Sequence, residues 1–70
     1  MIVTDAKQFG QAVRKRRKAL GYTQSFLSAF SGLSVSFLSD LENGKKTIEL
    51  EKAIRVANLL GLDCSLTPRE

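Results

Sequence analysis

The 70-residue sequence predicts an all-α domain of four to five helices that ends in a short β-strand. Apolar residues recur at helical spacing in two longer stretches, 6–20 and 48–60. Between them, two short stretches each open on a hydroxyl side chain suited to an N-cap and close on a glycine. Only once does the period change to two, in "LDCSLTP" near the C-terminus.

The first helix is predicted over residues 6–20. Asp5 and Gln8 have capping-box spacing, Phe9, Ala12, Val13, Ala19 and Leu20 recur at roughly helical intervals, and Gly21 stops the run. Thr23 caps a second helix, Gln24 to about Phe30, which ends at the Ser31-Gly32 turn. Ser34 caps a third, Val35 to Glu42, closed by Asn43-Gly44. A fourth runs from Ile48 or Glu49 to Leu60, with Leu50, Ala53, Ile54, Ala57 and Leu60 on one face and Gly61 past its end.

In the tail, Leu62, Cys64 and Leu66 alternate with Asp63, Ser65 and Thr67, a strand pattern bounded by Pro68. A lone strand in a helical domain has no partner for its backbone groups, and an open edge recruits another chain. The same strand from a second copy, paired antiparallel across a two-fold axis, satisfies both edges and adds core area. Residues 1–61 then form the helical domain, and 62–70 a dimerisation strand and tail. The alternative is a frayed tail packed on the fourth helix.

Composition narrows the function classes. A chain this short buries only about 60% of its unfolded surface, so the core is thin. The single cysteine, Cys64, excludes an internal disulfide and suits a reducing, cytoplasmic compartment. With no histidine and one cysteine, neither a zinc cluster nor a histidine-based triad can be assembled, so no metal, cofactor or enzymatic role is expected. No apolar run is long enough to span a bilayer. The net charge is +4, and "RKRRK" at 14–18 holds five of the eleven basic side chains. The run has two readings: a solvated helix end matched to the C-terminal dipole, or a phosphate-attracting patch. Five consecutive helical residues sweep about 400°, so they cannot share one face, whereas Arg14, Arg17 and Lys18 can.

The stretch "GYTQSFLSAFSGLSVSFLSDLENGK", residues 21–45, carries a family resemblance. Gly21, Thr23-Gln24, Gly32 and Leu41-Glu42-Asn43-Gly44 resemble, in order and spacing, the helix-turn-helix of the lambda-repressor-like, or XRE, family. With "ELEKAIRVANLLGL" and the terminal strand, the whole chain is similar to HipB-like antitoxins, dimeric repressors of their own toxin operons. The resemblance implies that the third helix lies in a DNA major groove.

By the same resemblance, Val35, Ser36, Phe37 and Asp40 fall at base-reading positions, with Leu38 and Leu41 toward the core. Phe37 has a second reading as a core or rim aromatic. Ser36 can exchange hydrogen bonds with a base, Val35 and Phe37 can touch a thymine methyl, and Asp40 can accept from cytosine N4. None offers the long bidentate fork of Arg or Gln, so DNA shape is expected to share in specificity. Thr23, Gln24 and Ser34 at helix starts, Asn43, Lys45 and Lys46 after the third helix, and Arg14 and Lys18 on the first are the implied phosphate contacts. Arg17 matches a family arginine that pairs with the glutamate at Glu42.

The chain departs from the family in the second helix. Ser28 and Ser31 stand where small or branched apolar residues usually pack, and Phe26 and Phe30 where polar ones are common. The two phenylalanines either swing inward to fill that volume or form a patch for a partner such as a HipA-like kinase toxin. The expected function is a homodimeric, sequence-specific repressor of an inverted-repeat operator, the HipB-like antitoxin that binds such a toxin. The alternatives are a stand-alone phage- or XRE-type repressor without a toxin, and a protein-interaction module that does not bind DNA.

Overall fold

The computed structural model describes residues 2–69. Met1 and Glu70, the outermost residues of the two predicted segments, lie outside them. Four helices follow in order: α1 (Ala6–Ala19), α2 (Gln24–Ser31), α3 (Val35–Glu42) and α4 (Leu50–Leu59). Their starts are chemically marked. Asp5, Thr23 and Ser34 each accept, through a side-chain oxygen, the backbone N–H three residues on. The capping box of α1 is offset by one residue, because Gln8 Oε1 accepts from Thr4 N–H at 2.8 Å.

The ends of α1, α3 and α4 share one construction. After α4, Gly61 N–H donates to Asn58 O and Leu62 N–H to Ala57 O, the pair of bonds that defines a Schellman cap, and the same pair recurs after α1 and α3. Gly61 occupies the left-handed region that this cap requires, at φ +80°.

Val13, Leu27, Leu33, Leu38, Leu41, Ala53, Val56, Ala57 and Leu60 form the core, and α3 packs against both α1 and α2. Gly10 makes the α1–α3 approach possible. A Cβ there would collide with the Leu41 carbonyl oxygen and lie 2.9 Å from that of Glu42. The buried stripe of α1 is therefore Gly10, Val13 and Arg17. Ala19 and Leu20, expected on the apolar face, are exposed, because an arginine occupies the next buried turn of the helix.

The fourth helix also differs from expectation. Its buried positions are Ala53, Val56 and Ala57, followed by Leu60 at the C-cap, with Ile54 half-buried. Leu50 is 67% exposed. It stands in the first turn, at the rim of the core, where it lines a shallow groove of about 360 Å³ with Val3, Phe9 and Ile48.

Residues 62–69 carry neither helix nor strand. The predicted strand does not form within one chain, for two reasons. Leu62 N–H is engaged in the cap of α4, and the described residues supply no second strand to pair with. Leu62 packs on the core, while Cys64 and Leu66 are exposed.

Candidate nucleic-acid interface

The turn between α2 and α3 is held by polar side chains. Ser28 Oγ donates to Leu33 O at 2.6 Å, and Leu33 N–H donates to Ser31 Oγ at 3.1 Å. Arg55, on α4, donates from Nη2 to Ser31 O at 2.7 Å. The two serines thus satisfy polar backbone groups of the turn. Phe26 and Phe30 point outward, 49% and 58% exposed. Their rings stack at 6.1 Å between centroids, and Tyr22 lies against Phe26 at 4.8 Å, so that three aromatics line the outer side of α2. The inward reading of the two phenylalanines is overturned.

At about 100° per residue, the side of α3 opposite buried Leu38, Leu41 and Glu42 is centred on Ser36, Asp40 and Asn43, with Ser39 and Phe37 at its edges and Val35, in the first turn, nearer the buried side. Val35 and Ser36 are exposed, as a base-reading role requires. Phe37 is half-buried against the core, at the edge of this face. Asp40 is half-exposed and pairs with Lys45 at 3.4 Å, an exchangeable surface contact. Ser39 also belongs to this face and was not among the expected readers. Its spacing of three from Ser36 was the available signal.

The phosphate candidates cluster at two helix starts and the α3–α4 turn. The hydroxyls of Thr23 and Ser34 accept the N–H groups of Phe26 and Phe37, each at 3.0 Å, and keep their own protons to donate outward. The Gln24 amide is engaged: Nε2 donates to Glu42 Oε1 at 3.1 Å. Asn43 Nδ2 donates weakly to Ser39 Oγ at 3.4 Å. Lys45, Lys46, Arg14 and Lys18 are exposed, the last two on α1.

Behind this surface lies the Arg17–Glu42 pair expected from the resemblance. Arg17 Nε and Nη2 donate to the two carboxylate oxygens at 2.7 and 2.9 Å, and Nη1 donates to Tyr22 O at 2.7 Å. Both residues are buried. Burial pushes the Glu42 carboxyl up, but hydrogen bonds from Arg17 and Gln24, with the charges of Arg17 and Arg14, outweigh it and hold the group below the usual range. The hydrogen bond to Glu42 likewise raises Arg17, against its own desolvation. The pair therefore ties the last turn of α1 to the end of α3, and Glu42 in turn holds Gln24 at the start of α2.

Arg55 on Ser31 and Arg16, whose Nε donates to Leu60 O at 2.8 Å, were not foreseen. Each joins elements 24 or more residues apart, and nothing local marks them. Among the described residues no helix is long and apolar enough to cross a membrane.

Known proteins share this arrangement. The "Helix-turn-helix" family matches residues 13–66. The "ImmF control region 10 kDa protein" of Bacillus phage phi105 is 31% identical over 62 residues, which is 89% of this chain and 69% of that protein. An "Uncharacterized HTH-type transcriptional regulator" of Haemophilus influenzae is 33% identical over 60 residues, 86% of this chain and 59% of its own length. Among solved structures, a chain of a "HipB-O4 20mer complex" superposes with a TM-score of 0.88 at 23% identity, covering 100% of this chain and 99% of that one. A chain of the "HipA-HipB-O2-O3 complex" gives the same values. At that identity the likeness establishes a shared fold. With the family match spanning most of its length, the chain belongs to the XRE-type helix-turn-helix family of transcriptional regulators.

Proposed function

We propose that this protein is a sequence-specific, DNA-binding repressor that acts as a homodimer, and that it is the HipB-like antitoxin of a toxin–antitoxin operon. The observation that carries the reading is the end-to-end likeness to HipB chains, whose structures contain 20mer complexes and HipA. In this reading α3 enters the major groove and presents Val35, Ser36 and Asp40 to base edges. Thr23, Gln24 and Ser34 meet phosphates on one flank, and Asn43, Lys45 and Lys46 on the other. Arg17 and Glu42 touch no DNA and hold the two helices at the angle that lets both flanks engage.

Two tails pair across the dyad through the segment carrying Cys64 and Leu66, with Leu62 anchoring it to the core. The operator is then an inverted repeat with half-sites roughly 34 Å apart. The Tyr22, Phe26 and Phe30 stack is the surface offered to a HipA-like kinase toxin. The phage phi105 relative favours a second reading, a stand-alone repressor of the phage type with no toxin.

Anisotropy titration of the chain against the DNA upstream of its own gene tests the first part. Saturable binding to an inverted repeat, tighter than to random duplex, is expected, and equal binding to both would overturn sequence-specific repression. Co-purification with the product of an adjacent kinase-like gene separates antitoxin from stand-alone repressor.

A further inference from the structure

α1 carries six basic side chains and no acidic one along its whole length. Lys7, Gln11, Arg14 and Lys18 are all exposed. Their spacings of four, three and four keep them within a sector of about 60°, in a stripe about 16 Å long. Among the described residues Lys7, Arg14 and Lys18 enter no ion pair.

The stripe joins the nucleic-acid face at two places. At its start, a Cβ on Gly44 would fall 2.7 Å from Lys7 Cα and 3.1 Å from Lys7 Cβ, so the turn carrying Lys45 and Lys46 rests directly on Lys7. Further along, Arg14 lies close enough to Glu42 for its charge to act on that carboxylate, which in turn holds Gln24 at the start of α2. A row of donors on α1, three cations and an amide, thus starts against the turn after α3 and passes near Glu42, which holds Gln24.

We propose that Lys7 and Gln11 extend the phosphate-contacting surface along α1, linking Arg14 and Lys18 to Lys45 and Lys46 as a single track along the DNA backbone. The inference rests on the DNA-binding reading above. A duplex fits better than an acidic protein because each strand repeats its charge every 3.4 Å or so of axis, which a 16 Å stripe of about four donors can follow whatever the base sequence.

The test is a salt series of anisotropy titrations with the full chain and a random-sequence duplex. Each phosphate neutralised contributes about −0.9 to the slope of log affinity against log salt. Lys7→Gln should therefore flatten the slope by about 0.9 per bound protomer, and Lys18→Gln should do the same. Gln11→Glu should weaken binding at low salt with an unchanged thermal melt, since its position is exposed. An unchanged slope for Lys7→Gln, beside a flattened one for Lys45→Gln, would overturn the track while leaving DNA binding intact. A native chain that binds no duplex at low salt would overturn both readings. Loss of poly-glutamate binding in Lys7→Gln with the DNA slope unaltered would assign the stripe to an acidic protein instead and overturn the proposal.

Discussion

The α1–α3 interface and the tail after Gly61 are built on opposite terms. At the interface, Arg17, Glu42, Gln24 and the Tyr22 carbonyl satisfy one another inside one chain, and Gly10 removes the side chain that would hold the helices apart. Among the described tail residues only Leu62 packs on the core, and the side chains that alternate beyond it are exposed. The difference follows from backbone chemistry. A helix closes its hydrogen bonds within its own segment, so it needs only side-chain partners, which one copy supplies. A strand must find its backbone partners elsewhere. The helix-turn-helix frame closes its hydrogen bonds in a single copy, whereas residues 62–69 form neither helix nor strand there.

The largest stability effect is expected from breaking the interface at its ion pair. Glu42→Ala leaves the Arg17 guanidinium buried without its carboxylate, which should cost about 3 kcal/mol and bring so small a domain close to unfolding at room temperature. Thermal melts measure it, and an unchanged melt would mean that the pair is exposed in solution. The pair also sets a pH dependence. In the fold the Glu42 carboxyl is held below its ordinary value, so the native state releases that proton more readily than the unfolded chain. Its stabilisation is complete above the unfolded value, about 4.3, and is lost as pH falls from there through the lower folded value. Urea midpoints between neutral and acid pH should fall more steeply for the native chain than for Glu42→Gln.

Breaking the tail should leave the frame standing and remove cooperation between copies. Truncation after Gly61 is expected to sediment as a monomer with helical circular dichroism and to lose operator affinity by about 100-fold, or roughly 2.7 kcal/mol. Ser65→Pro should act in the same direction if its N–H enters an intermolecular ladder. A truncated chain that still sediments as a dimer and binds with full affinity would exclude tail pairing.

The same contrast governs what could be read from the sequence. Thr23, Ser34 and Gly32 act within three or four residues of themselves, so α2 and α3 were placed to within a residue, and α3 without error. The Arg17–Glu42 pair spans 25 residues and was legible only through family resemblance. Arg16 on Leu60 and Arg55 on Ser31 had no such help, because their partners are backbone carbonyls that any residue could provide. Leu50 was misplaced because helical periodicity gives the direction of a face without saying where the core beneath it ends. The tail was read as a strand that pairs with a second copy; alternation reports a preference, and residues 62–69 of a single chain, which form no strand, leave that pairing open to test.

Gly10 sharpens the interface further, with a smaller effect than removal of Glu42. Its central position in α1 reads as a simple weakness of the helix, and alanine would ordinarily strengthen such a site by about 1 kcal/mol. Here the obstructing atoms are the Leu41 and Glu42 carbonyls, backbone that cannot rotate away. Gly10→Ala should therefore destabilise by about 2 kcal/mol, the cost of overpacking outweighing the gain in propensity. A stabilised variant in a thermal melt would show that α1 and α3 can separate without loss.

The aromatic stack on α2 gives the smallest expected change in stability and the clearest separation of frame from partner surface. Phe26 and Phe30 are about half exposed and touch mainly each other and Tyr22. Phe30→Ala removes one aromatic pair and Phe26→Ala two, with little burial in either case, so each should lower stability by about 1 kcal/mol or less. Leu27, fully buried between them in sequence, provides the internal standard: its change to Ala should cost about 3 kcal/mol in the same melts. If the stack anchors a toxin, the two phenylalanine variants should weaken toxin binding by about 2 kcal/mol or more while DNA affinity is retained, because interface energy concentrates in such aromatics. A Phe30→Ala melt depressed as far as that of Leu27→Ala would place the ring in the solution core, and unaltered toxin affinity in both variants would move the partner surface elsewhere.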